Sequence, residues 1–150
     1  PSGARGGSDT RDTEMGQDLF GHSARSKLER IAAAARTLHK ALIDATRRDY
    51  EKLHGRITSP YTLFSLVAGD PAFAWLQPMT RAIVGVEDLA GRKDPAPAEA
   101  EVKETRQNLE HLLKAEGQPF AERYLALIQT APDIAVEDGR FHAALREITR

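Results

Sequence analysis

From Leu28 to Leu53 the apolar residues recur at helical steps: Leu28, Ile31, Ala35, Leu38, Leu42, Ala45, Tyr50 and Leu53. That spacing gathers them into one stripe along an α-helix. Ala32, Ala33 and Ala34 add helix propensity and a surface that another helix can approach closely. Gly55 supplies the residue that commonly ends a helix. The predicted helix covers residues 23–54, and about 30 residues at ~1.5 Å each make a rod of roughly 45 Å. A rod that long in a chain of 150 residues can bury its stripe only if other helices lie along it.

The remaining segments supply those helices. Ser59 and Pro60 form a cap-and-proline start signal for a short helix over about 60–68. Leu63, Phe64, Leu66 and Val67 crowd that helix with apolar residues, so most of it is expected to be buried. Asp70 and Pro71 repeat the start signal for a helix over about 71–90, with Phe73, Leu76, Met79, Ile83, Val86 and Leu89 inward. Pro78 inside that helix predicts a kink near Ala74. Residues 91–100 read as a loop. Two further helices are expected, from Pro97 to Gly117 and from Pro119 to Pro132. The stretch 132–140 is open between loop and broken helix, and a small helix over 140–148 closes the chain. The fold expected is all-α: a roughly antiparallel four-helix bundle with a long first helix, a short inserted helix, a proline-kinked helix and a small C-terminal helix. Residues 1–22, rich in glycine, serine and charge, are expected to be a flexible tail, and 23–150 a single bundle domain.

Composition removes several classes of function. The chain has no cysteine, which excludes disulfides, thiol catalysis and thiolate metal sites. No apolar run approaches the ~20 residues of a membrane span, and residues 1–22 contain no apolar signal core, so a cytoplasmic location is the expectation. The net charge of −1 gives no general attraction to nucleic acid. The charge is nevertheless uneven. Residues 23–56 carry nine Lys/Arg against four Asp/Glu, whereas residues 86–116 carry five against eight. Arg36, Lys40, Arg47 and Arg48 thus form a candidate basic face on the first helix, which could meet phosphates or could simply complement the acidic helix. The helix after Pro71 begins with Ala72, Phe73, Ala74, Trp75 and Leu76, which suit burial and not base reading, so nucleic acid is disfavoured.

The titratable residues give weaker signals. Glu51 and His54 have the ExxH spacing by which ferritin-like bundles hold a metal, but a second copy is missing. His39 lies in mid-helix, where it reads either as a haem or metal ligand or as a boundary histidine bonded to a neighbouring helix. His111 and His142 complete the candidate ligand set, with neither HxxxE nor HxxxH spacing. Asp44 and Arg48 are spaced for an ion pair within the helix. No serine-nucleophile elbow or glycine-rich phosphate loop is present. No catalytic residue is assigned.

Two readings of function follow. The first is a non-catalytic protein-interaction module, binding another protein or itself through Tyr61, Phe64, Trp75 and Gln77. The second is a bundle with a sensing or redox role that holds a metal, a haem or a small organic ligand, the last between helices near Pro78. No cofactor is predicted. Trp75, the single tryptophan, lies off the Phe73–Leu76–Met79 stripe. Either the short helix 60–68 covers it on a second face, or it is partly exposed; cover by that helix is the expectation.

Overall fold

A computed structural model describes the backbone of residues 2–150 and the side chains of residues 23–150. The expectation of a tail over residues 1–22 falls outside the fully described residues. The described chain is all-α, with six α-helices, one 3₁₀ helix and no strand among the described residues. The helices are α1 (Ser2–His54), α2 (Pro60–Gly69), the 3₁₀ helix (Pro71–Leu76), α3 (Gln77–Gly91), α4 (Glu99–Lys114), α5 (Pro119–Thr130) and α6 (Pro132–Ile148).

The long stripe does what its spacing requires. Leu28, Ile31, Ala35, Leu38, Leu42 and Ala45 are all buried, and α1 packs against α3, α4, α6 and the 3₁₀ helix. α4 packs on α5, and α5 on α6. This arrangement is consistent with a bundle assembled along α1. Phe73, Leu76, Met79, Ile83, Val86, Val102, Leu109, Tyr124, Ile134 and Leu145 complete the core from the other elements. Gly55 ends α1 at a φ of 87°, a left-handed conformation that an L side chain rarely adopts. Leu53, expected in the stripe, is instead 83% exposed. It lies eleven residues after the buried Leu42, nearly the same angular position. What it lacks is a packing partner at that level of the rod.

Three other expectations are corrected. Pro78 does not kink a helix interior. Residues 71–76 form a 3₁₀ helix and α3 starts at Gln77, so Pro78 falls in its first turn. There the proline's missing N–H is one that would have no helical partner anyway. The stretch 132–140 is not a loop, because α6 runs unbroken from Pro132 to Ile148 through Gly139. Burial of Ile134, Phe141, Leu145 and Ile148 holds that helix together despite the glycine. The third correction is α2, which has no buried residue at all. Leu63, Leu66 and Val67 lean on the core from one side, and Tyr61 and Phe64 point away from it.

Between α3 and α4, Arg92 forms a paired contact to both carboxylate oxygens of Glu101. Glu101 also accepts a bond from the Ala98 backbone N–H at 3.2 Å, which satisfies a donor at the start of α4. The Arg92 guanidinium and that N–H together hold the Glu101 carboxyl below the usual carboxylate range.

Candidate binding surfaces

Two of the four residues of the candidate basic face on α1 form interhelical pairs. Arg36 bonds Glu87 of α3, and Arg48 meets Asp133 of α6 at 2.9 Å. Lys27 meets Glu99 of α4 at 2.9 Å in the same manner. Part of the charge asymmetry read from the sequence is thus met by complementary helices, through Lys27–Glu99 and Arg36–Glu87. Arg48 takes Asp133 and not the Asp44 expected from spacing alone, because α6 brings its carboxylate against α1. Lys40 is exposed.

Arg47 and Glu51 have a structural task. Arg47 Nε donates to Glu51 Oε1 at 3.1 Å, and its second nitrogen donates to the Ile57 carbonyl at 2.9 Å. Glu51 Oε2 accepts the Ile57 N–H at 2.9 Å. The two side chains thus satisfy both backbone groups of Ile57, a buried residue just beyond the end of α1. The ExxH pair is divided accordingly: Glu51 holds the loop, while His54 is exposed and lies over Tyr50 with ring centres 4.3 Å apart.

The other histidines also have separate neighbours. His39 Nε2 lies 3.1 Å from Thr80 Oγ1, across the α1–α3 seam. Burial, and then the charge of Arg36, lower its pKa from the ordinary value of 6.5. His142 lies 3.1 Å from Asp138 Oδ1 on the same helix. That carboxylate also accepts the hydroxyl of the buried Tyr124, whose pKa burial and the carboxylate push upward. His111 is exposed on α4. The five-residue set His39, Glu51, His54, His111 and His142 is not brought together, and no cluster of three potential metal-ligating side chains forms among the described residues.

Two surfaces remain. The first is the outer side of α2 with the end of α1. Tyr61 and Phe64, three residues apart and so on one face, are 79% and 72% exposed. Leu53 at 83% is close to them in the chain. From Lys52 to Gly69 there is no acidic residue, while His54 and Arg56 are exposed and the exposed Lys52 lies 3.7 Å from Asp49. α2 makes its substantial packing with the 3₁₀ helix alone.

The second surface surrounds Trp75. Its indole N–H donates to Thr46 Oγ1 at 3.2 Å, and its ring stacks on Phe120 of α5 with centres 5.4 Å apart. The Arg123 guanidinium carbon sits 4.8 Å from the ring centre. α1 and α5 thus contribute contacts to the indole beyond any from α2, and Trp75 remains half-buried. Beside it opens a cleft of about 470 Å³ lined by Ala74, Trp75, Pro78, Leu112, Pro119 and Phe120, with His111 and Gln118 contributing polar heads. Gln77, the fourth interaction candidate, is half-buried and not among the cleft's lining residues. The sequence reading missed Phe120, His111 and Gln118 as neighbours of Trp75. Only the α4–α5 turn brings them to it, and no local spacing encodes that.

Comparison with family models, with curated proteins and with solved structures found no match to this chain. No helix among the described residues is long and apolar enough to cross a membrane.

Proposed function

We propose that this chain is a non-catalytic protein-interaction module, and that its recognition surface is the outer face of α2 with the end of α1. One observation carries the reading. α2 turns its two aromatic residues outward and uses only Leu63, Leu66 and Val67 to hold itself to the core. A helix that needed merely to cover the 3₁₀ segment would gain nothing from Tyr61 and Phe64 in water. Burying a Phe or Leu side chain contributes about 1.5–3 kcal/mol, so Leu53, Tyr61 and Phe64 are sufficient anchors for a partner. The absence of acidic residues from Lys52 to Gly69, with Arg56 exposed in the same stretch, favours a partner segment that is apolar and acidic.

The test is a photo-crosslinking residue placed at Phe64 in the native host, with a second placed at the exposed Arg146 as control. The expected result is a defined polypeptide adduct from position 64 alone, lost when Leu53 or Tyr61 is changed to Ser and weakened by salt. An adduct to a second copy of the chain would redirect the reading to self-association. Adducts that are the same from both positions would end it.

A further inference from the structure

We infer that the cleft beside Trp75 is a binding site for a small, planar, largely apolar molecule carrying a polar group, independent of the α2 surface. The cleft lies where four elements meet: the 3₁₀ helix, the first turn of α3, the end of α4 and the start of α5. Its volume of about 470 Å³ is in the range of small-molecule sites, ~300–1,000 Å³. Among the described residues, no other groove has an aromatic side chain in its lining, and two of them are bordered by ion pairs. One is bordered by the Lys27–Glu99 and Arg106–Glu110 pairs, and another by the Arg36–Glu87 pair, so charge lines their walls.

Three properties suit the cleft to a ring. The first is a rigid aromatic wall. Trp75 is fixed from α1 by Thr46 and from α5 by Phe120 and Arg123. Phe120 is itself buried and stacked on Tyr124 at 6.1 Å with planes 10° apart, and Tyr124 is tied to Asp138. A ligand meeting this wall orders nothing that is not already ordered, which removes a main cost of binding. The second property is a border of short or ring-locked side chains at four positions. Ala74, Ala115, Pro78 and Pro119 border the space, and none can extend into it. The third is the polar complement. His111 and Gln118 are exposed, and the Gln118 side chain makes no cap bond to α5. An imidazole and a carboxamide can each meet a ligand's donor or acceptor. Mostly apolar walls with a few polar heads are the chemistry that recognises an aromatic body bearing a polar substituent.

The single tryptophan makes the site self-reporting. Titration with 1-anilinonaphthalene-8-sulfonate, a fused-ring probe with a polar group, should quench Trp75 emission by energy transfer to saturation at one probe per chain. Ala115→Leu places a side chain in the cleft and should weaken binding at least about tenfold, the scale of one or two misplaced methylene groups in a pocket. Ala74→Leu, at an exposed position, should act in the same direction and stands in if Ala115→Leu fails to fold by far-UV circular dichroism. The Tyr61→Ser/Phe64→Ser variant should bind as the parent does. Undiminished binding to both leucine variants, loss of binding in the Tyr61/Phe64 variant, or no saturable quenching in the parent would each overturn the assignment. Because the Tyr61/Phe64 variant separates the surfaces, either can fail without the other.

Discussion

α2 and the 3₁₀ helix stand side by side in the chain and begin alike, each with a cap-type residue followed by proline: Ser59-Pro60 and Asp70-Pro71. Each also carries two aromatic residues, Tyr61 with Phe64 and Phe73 with Trp75. Their fates diverge completely. Phe73 is fully buried and Trp75 is packed between α1 and α5, whereas Tyr61 and Phe64 face outward at 79% and 72% exposure. The difference lies in the company each segment keeps. The 3₁₀ helix packs against α1, α2, α3 and α5, whereas α2 has the 3₁₀ helix as its one substantial neighbour. Aromatic content therefore says that a segment can be buried, and topology says whether it is.

The strongest way to break this contrast is to truncate an aromatic residue in each segment. Phe73→Ala removes a ring with no exposure that also contacts Tyr50, with ring centres 5.8 Å apart. It should lower unfolding free energy by about 3–5 kcal/mol in urea titration. Phe64→Ala should change it by no more than ~0.5 kcal/mol, since the ring is already in water. Equal losses would show that α2 is a core element after all and remove the support for its role in recognition.

The two start signals offer a smaller test. Asp70 accepts the Ala72 N–H at 2.8 Å, whereas Ser59 makes no side-chain bond to α2, contrary to the expectation from its position. Asp70→Ala should therefore cost ~1 kcal/mol, the usual value of a helix cap, and Ser59→Ala close to nothing. Trp75→Phe sharpens the same contrast from the packing side. It keeps a ring against Phe120 but removes the bond to Thr46, whose hydroxyl still donates to the Leu42 carbonyl at 2.8 Å. Since no buried polar group is orphaned, the expected loss is about 1 kcal/mol. A loss of several kcal/mol would mean that the indole fills core volume that the cleft only borders.

These pairs also show what was legible in the sequence. The α1 stripe, the buried Phe73, Leu76 and Met79, and the stop at Gly55 follow from periodicity and backbone sterics within one segment, and the structure has them. What was illegible depends on contacts between segments. Leu53 carries the right phase but meets no partner, and Asp133 outcompetes Asp44 for Arg48 because α6 arrives from 85 residues away. Pro78 implies a kink only where the preceding turns are α-helical; as a 3₁₀ segment they let α3 begin afresh at Gln77. The candidate site suffered most. Trp75 was recognisable as a contact residue, yet Phe120, His111 and Gln118 come from a turn that no local spacing links to it.

The smallest expected effect lies on α1, where His39 faces the α3 seam and not the open α2 end. Its Nε2 is paired with Thr80, and the charge that acts on it is that of Arg36, itself paired with Glu87. Burial first, and Arg36 second, lower the histidine's pKa in the folded chain below its ordinary 6.5. The unfolded chain then binds more protons between the two values, so stability rises with pH across that interval. The contribution is fully present above about pH 6.5 and is lost as pH falls through 6.5 toward the lower folded value, where the loss levels off. Urea midpoints measured from pH 7.5 down to 5 (about the span in which histidine titrates) should fall for the parent. They should fall less for His39→Gln, whose amide can still bond Thr80 but takes up no proton. A steeper acid decline in His39→Gln would show that the histidine gains a stabilising charge on protonation, and that the seam is wetter than its packing suggests.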